Sequence, residues 1–384
     1  MSAKIENCCS ICDDSAHGTH FGVLSCRACA AFFRRTIVMK KKYICKKNHS
    51  LKQQCKFCRF QKCLKLGMTD DNVKLNYDTV IHTTKAPANT KKEVTYELET
   101  NKKGETRVKL DISELLKRVQ KLLYSYKPPE FPKEFTSLQK MNLALIEYRR
   151  IHSSNIITFV SEISMREILG TSNDQLKSIA KFLIISEPYN HLSVNDKMKM
   201  LKCIWVQFKR LERYCSTAHI FGKRMYTERI VTIIPGVAAC IDDLKIEAAH
   251  FIYRRAESMK FQMRDYNEKM MEEVAKPIVE LELTPTEIAF MLTRMSWQVA
   301  GKQLQGDVLE KSEIALEKLD NDLHFYYMNE VKVVNYASRL IKIMNVLSSL
   351  QKIHYDRQNF MDLIRIFDAI SVDVSDPELY KSYF

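Results

Sequence analysis

The chain has 384 residues, 46% of them hydrophobic, with 60 Lys and Arg against 46 Asp and Glu for a formal net charge of +14. That length exceeds one small module and allows two domains, and the apolar content with only nine Gly and nine Pro points to a helix-rich globular protein and excludes a disordered one. No apolar run reaches spanning length and the chain opens MSAKIENCC without a secretory segment, so a soluble, intracellular protein with no membrane partner is expected.

Cysteine and positive charge are both concentrated near the N-terminus. Nine of the twelve cysteines lie between Cys8 and Cys63, while Cys203, Cys215 and Cys240 are scattered. Repeated Cys-x2-Cys pairs favour metal thiolates in a reducing compartment over disulfides. From Ser25 to Thr69 there are thirteen Lys and Arg and no Asp or Glu, almost the whole net charge. Basic residues interleaved with metal ligands imply a polyanionic partner.

In chain order, Cys9 and Cys12 form the first pair and Cys26 and Cys29 the second, thirteen residues later. Four thiolates leave no open coordination position, so the zinc they hold is structural and its binding energy is folding energy. The two-residue spacing selects Cys9 as ligand and leaves Cys8 a bystander. The stretch CRACAAFFRR reads as a helix in which Phe32 and Phe33 stand beside Arg34 and Arg35. One face packed on a metal module and another carrying arginine suits the DNA major groove. A third group contains Cys45, Cys55 and Cys58, the last two opening CKFCRFQKCLKLGM. There Phe60, Cys63 and Leu64 fall at helical spacing and Gly67 ends the helix.

These motifs, CSICDDSAHGTHFGVLSCRACAAFFRRT, YIC and CKFCRFQKCLKLGM, resemble the two-zinc DNA-binding domain of nuclear hormone receptors over roughly Cys9 to Met68. The CRAC variant and the short second finger most resemble the divergent nematode-type members. The resemblance implies that the first helix enters the major groove and that the second finger supports phosphate contacts and, often, dimerisation. It nominates Arg27, Ala28, Ala30, Ala31, Arg34, Arg35, Arg59 and Lys62 as DNA-binding residues. Arg27-Ala28 and Ala30-Ala31 stand where most members carry Glu-Gly and Lys-Gly, so a changed half-site is expected. Arg27 either reads a guanine edge or contacts a phosphate; Arg34 and Arg35 fix register on the backbone. The second zinc site has three cysteines, and either His49 completes it or it stays incomplete. Cys63 takes the family's non-ligand position.

From Thr69 to about Pro132 the polar stretch TTKAPANTKKEVTYELETNKKGETRVK predicts a flexible hinge. One exception is DISELLKRVQKLLYSY, whose Ile112, Leu115, Leu116, Val119, Leu122, Leu123 and Tyr126 make a helical stripe that docks on the following domain. PPEFP stops it. Helical periodicity then dominates to Phe384. Ser193-x-x-Asp196 and Thr284-Pro285-Thr286-Glu287 are helix starts, and Met225 to Ile234 alone has strand character, enough for a short hairpin. LSVNDKMKMLKCIWVQFKRLE and LELTPTEIAFMLTRMSW are similar to helices of the receptor ligand-binding domain. That implies three helical layers around an apolar pocket and a mobile last helix forming a coactivator groove. LYKSYF fits the frame of that helix, yet Ser382 stands in place of its usual Glu and Ile184 in place of the partner Lys. Met198, Met200 and Trp205 read as packing residues, and no ligand-contact residue is assigned.

The expected fold is thus a small zinc-dependent two-helix DNA-binding module (residues 6–72), a linker with one amphipathic helix (73–132) and a mainly α, three-layer helical ligand-binding domain (133–384). The expected function is a sequence-specific nuclear transcription factor regulated by a small lipophilic ligand, with double-stranded DNA, coregulator proteins and a homo- or heterodimeric receptor as partners. Enzyme motifs such as HExxH, a P-loop or a dinucleotide fingerprint are absent from the sequence. A zinc-dependent protein-interaction adaptor is the alternative, although FFRR and thirteen uncompensated basic residues have no use there.

Overall fold

The computed structural model describes residues 8–16, 18–38, 43–45, 55–69, 80–82, 96–100, 106–154, 156–247, 264–366 and 372–380. The chain divides into two compact units, one built on residues 1–81 with 154–158 and the other on residues 82–153 and 159–384.

In the N-terminal unit a two-strand hairpin, β1 (Thr19–His20) and β2 (Val23–Leu24), turns through Phe21 and Gly22, both at positive φ. Two helices follow, α1 (Arg27–Val38) and α2 (Lys56–Lys65), and they pack on each other. The core between them is Cys9, Ile11, Val23, Cys26, Cys29, Phe32, Phe33, Cys63 and Met68. Phe33 is its hub, with ring centroids 5.5 Å from Phe21 and 5.9 Å from Phe60. Gly67, at φ +92°, ends α2 as expected, and the Met68 N–H returns to the Cys63 carbonyl at 3.1 Å. Leu64 departs from the sequence expectation: it lies on the exposed side of α2. A module this small buries only one stripe of so short a helix, and Cys63 already fills it.

The helical unit begins earlier than residue 133. Strands β3 (Tyr96–Thr100) and β4 (Thr106–Leu110) form an antiparallel ladder, and a strand at Val372–Val374 joins β4 in parallel. This segment of the expected hinge is therefore structured within the helical unit. The ladder sets Glu97 opposite Lys109 and Glu99 opposite Arg107, and across the strands Lys109 pairs with Glu99 at 3.1 Å and Arg107 with Asp373 at 3.5 Å, so charges that made the stretch look like solvated linker find partners in the sheet. The helix α3 (Ser113–Ser125) docks, as its stripe predicts, on the helices Met165–Ile184 and Val194–Phe221 through Leu115, Val119 and Leu123.

Three layers follow. The first holds α4 (Ser137–His152) and α5 (Met165–Ile184), both opened by capping boxes at Thr136 and Ser164. After them come the short α6 (Glu187–Asn190) and the long α7 (Val194–Phe221), capped by Ser193. After α8 (Arg224–Thr227), a hairpin pairs Ile230–Ile234 with Val237–Cys240. The strand is shorter than the Met225–Ile234 expected, because Met225 and its neighbours complete a helical turn. The third layer contains α9 (Lys276–Leu281), preceded by a π-helical turn at Met270–Ala275, and α12 (Ala337–Ile366). In the middle layer α10 (Pro285–Gln303) packs on α7 and on α11 (Asp307–Phe325). Thr284 caps α10 in a capping box with Glu287, with Pro285 in its first turn, as the sequence reads. The carboxylate of Glu287, while accepting from the Thr284 N–H at 2.8 Å, also accepts from Arg339 at 2.5 and 2.8 Å and from the Tyr327 hydroxyl at 2.5 Å.

The C-terminal helix α13 (Pro377–Tyr380) is held against α7. The Trp205 indole donates to the Leu379 carbonyl at 2.7 Å, its ring meets Tyr380 edge-on, and Lys202 pairs with Asp376 at 2.6 Å. Ser382 lies outside the described residues, so the missing activation-helix glutamate belongs to the sequence alone.

Candidate metal centre and nucleic-acid interface

The two Cys-x2-Cys pairs meet because β1–β2 folds the chain back over the start of α1. Cys9, Cys12, Cys26 and Cys29 bring one sulfur each to a common point, all within 4.8 Å of one another, with Cys12 Sγ and Cys26 Sγ 3.5 Å apart. A tetrahedral zinc with bonds of about 2.3 Å needs sulfurs about 3.8 Å apart, so the donor set fits. Burial pushes the Cys12 and Cys29 thiols up, whereas at Cys9 backbone groups favour the charged form. Burial pushes the Cys9 thiol up, but hydrogen bonds from the backbone at Cys26, Cys12 and Ile11 outweigh it and bring it down to about 7. Cys8 is exposed and outside this set.

Cys45, Cys55 and Cys58 form a second group, likewise within 4.8 Å, with Cys45 Sγ and Cys58 Sγ 3.7 Å apart. Burial, then the neighbouring Cys45 and Cys55 thiols, push Cys58 up to about 11, the repulsion that a dication at their centre would reverse. His49 lies outside the described residues. Cys63 is fully buried in the core, where desolvation pushes its thiol up to about 11, the setting of an inert packing residue.

On α1 the nominated DNA residues separate by face. Arg27 and Ala28 are exposed, Ala31 and Arg34 half-exposed, and their offsets of one, four and seven residues place them on one stripe. Ala30 is a correction: it is 5% exposed and turned into the module, because Cys29 and Phe33 fix that side of the helix as the core side. Arg35 continues α1.

Arg59 and Lys62 of α2 make contacts within the module. The Arg59 Nη2 donates to Cys29 Sγ at 3.0 Å, and its guanidinium sits 4.7 Å from the Phe32 ring centre. The Lys62 ammonium donates to the Ile11 carbonyl at 2.8 Å. Both charged ends brace α2 against the first metal loop. The contact to the Cys29 sulfur is a role the spacing did not reveal. Its only trace in the sequence is that Arg59 follows Cys58 directly and so must leave α2 on the side of α1.

Comparisons with known proteins agree with this geometry. Residues 7–70 match the family described as double treble clef zinc finger, C4 type, and residues 153–367 match the ligand-binding domain of nuclear hormone receptor. Two relatives from Caenorhabditis elegans span nearly the whole chain. Nuclear hormone receptor family member nhr-213 is 34% identical over 94% of this chain and 91% of its own length. Member nhr-54 is 30% identical over 97% and 96%. The chain belongs to the nuclear hormone receptor family, and its two domains define a DNA-binding, ligand-regulated transcription factor. The adaptor alternative finds no support in these matches. Family members are transcription factors rather than enzymes. Among the described residues no helix is long and apolar enough to cross a membrane.

When bound, zinc supplies the cross-links that fix the module's loops. The protein's own residues do the rest: Phe32 and Phe33 anchor α1, Arg59 and Lys62 lock α2 over it, and the Arg27 stripe is left outward.

Proposed function

We propose that Arg27, Ala28, Ala31 and Arg34 form the surface that lies along the major groove, with Arg27 reading a base edge and Arg34 and Arg35 holding the phosphate backbone. The observation that carries this is the exposure of the stripe on a helix whose opposite side is welded to the tetrathiolate. Small Ala28 and Ala31 let the helix approach closely and offer methyl groups to thymine, while Arg27 can donate two hydrogen bonds to a guanine. In the nucleus, with a homo- or heterodimeric receptor partner and with coregulators on the helical unit, this surface selects the genes controlled. A small ligand in the helical unit regulates the outcome. Cys45, Cys55 and Cys58, completed by His49, hold the second zinc.

Binding selection from a random duplex library with the full chain tests the assignment. Arg27→Ala relaxes preference at one base pair, and a bidentate contact makes that worth about 1–3 kcal/mol. Arg35→Ala weakens every sequence alike. Identical sequence preferences for wild type and Arg27→Ala defeat the base-reading role.

A further inference from the structure

The strand at Val372–Val374 and the helix α13 are fastened to the rest of the helical unit at one serine between them. The Ser375 N–H donates to the Leu110 carbonyl at 3.0 Å, and its hydroxyl accepts from the Ile112 N–H at 2.9 Å. After the bonds from Ser113, the same hydroxyl helps to hold the Asp111 carboxyl below its ordinary range. Both Ser375 and Asp111 are nevertheless exposed. The strand has three residues and lies at the edge of its sheet, which makes it a segment that opens locally at low cost. Beyond it α13 buries Leu379 and Tyr380, and the Tyr380 hydroxyl bonds Asn173 on α5 at 3.1 Å.

The surroundings of Ser375 are acidic. In VDVSDPE, Asp373 stands two residues before it, Asp376 one after and Glu378 three after, while Asp111 faces it from the end of β4. The cations at this corner already hold carboxylates. Arg107 lies 3.5 Å from Asp373, and Lys202 lies 2.6 and 3.3 Å from Asp376 and Glu378. Lys117 on α3 pairs with Glu114 at 2.8 Å. An exposed hydroxyl with carboxylates on both sides is the electrostatic complement of a kinase whose peptide groove is basic.

We propose that Ser375 is a phosphorylation site for an acid-directed serine kinase, and that the phosphoryl group releases the 372–374 strand and α13 from β4 and α7. The kinase takes the segment in its locally opened form. Ser375 Oγ attacks the γ-phosphorus of MgATP, the bond from that phosphorus to the β–γ bridging oxygen breaks, the hydroxyl proton passes to the kinase's base, and ADP leaves. The product has lost the O–H that served Asp111 and sets about two negative charges against that carboxylate, a placement that disrupts by repulsion. With Arg107 and Lys202 engaged by Asp373, Asp376 and Glu378, that repulsion opens the fastening. Release uncovers the Trp205 indole and the face of α7 beneath α13, so the modification controls access to that face.

The test uses the zinc-loaded full chain with MgATP, casein kinase II as the acid-directed probe and protein kinase A as the base-directed control. Mass spectrometry locates the phosphate, and amide hydrogen exchange follows residues 106–112 and 372–380. Casein kinase II modifies Ser375 and protein kinase A does not. The modified chain exchanges roughly tenfold faster in both segments, about 1.4 kcal/mol of added opening, while α10 exchanges as before. Ser375→Thr is modified and opens likewise, Ser375→Ala does not respond to the kinase, and in Asp111→Asn the modification accelerates exchange by a smaller factor. No phosphate at Ser375 refutes the site. Phosphate there with unchanged exchange refutes the release, and equal acceleration in Asp111→Asn refutes the repulsion behind it. Faster exchange in kinase-treated Ser375→Ala also overturns the proposal, because another modified residue is then responsible.

Discussion

Replacing Arg59 by methionine tests whether the second helix acts on the metal centre or on DNA. The substitution keeps the aliphatic stem over Phe32 and removes the donor that lies 3.0 Å from Cys29 Sγ. A hydrogen bond to a charged acceptor contributes about 1.5–3 kcal/mol, and a cation over an aromatic ring adds roughly 0.5–1 kcal/mol at a partly exposed site. Solvent reaches part of Arg59, so the lower end applies, about 2 kcal/mol. That corresponds to roughly a 30-fold weaker hold on zinc. A chelator competition on the full chain, reading zinc released against free-zinc concentration, measures it directly. Arg59→Lys keeps the charge but not the planar fork and falls between. The opposite pattern refutes the reasoning: zinc retention unchanged, with the slope of log affinity against log salt flattened by about one, the loss of one phosphate contact.

Four further outcomes follow from the same geometry. Cys26→Ser loses one equivalent of zinc and the fold of the N-terminal unit, whereas Cys63→Ala keeps the wild-type metal content and loses only about 1–2 kcal/mol of packing; atomic absorption and chemical denaturation separate the two. Glu287→Gln leaves the partly solvated Arg339 facing an uncharged amide and costs about 1.5–3 kcal/mol in the unfolding free energy of the helical unit. The pH dependence has a fixed sign. Burial pushes the Glu287 carboxyl up, but Arg339, Tyr327 and the Thr284 backbone outweigh it and hold it below 4.5, so its contribution is complete above the unfolded value and is lost as pH falls below about 4.3 toward the folded one. Wild type loses Tm more steeply than Glu287→Gln through that window. Trp205→Phe removes the donor to Leu379 and makes α13 accessible to protease at lower enzyme concentration, while Lys202→Met does so to a smaller extent because its partners are partly solvated.

Much of the N-terminal unit was legible because metal ligation leaves little freedom: paired cysteines at fixed spacing, an apolar pair in α1 and a glycine after α2 each have one use. The faces of α1 were less so. Ala30 and Ala31 look alike in sequence, and only the packing of Cys29 and Phe33 decides that one turns inward. At Arg59 and Lys62 a basic residue beside DNA and a basic residue bonded to a thiolate or a carbonyl have the same composition signal, so their contacts within the module were not legible. In the helical unit the capping residues at Ser193 and Thr284 announced their helices, since those hydrogen bonds are local. The ladder at 96–110 was hidden although YELET and TRVKL alternate, because Glu and Lys on one face mimic linker composition. Arg210 on α7 and His354 on α12 are 144 residues apart, with Nη1 and Nδ1 at 2.8 Å, and no local pattern predicts that they converge.

The strand at Val372–Val374 lies beside β4, and the Ile112 N–H reaches the Ser375 hydroxyl across 263 positions of chain. Pairing of this kind cannot occur during most of translation, since the ribosome must supply the later partner first. Until then the 106–110 edge is open to any extended peptide. A stop codon between 340 and 370 would leave that edge bare for good, so truncations in this interval should aggregate even though the zinc module ahead of them is complete.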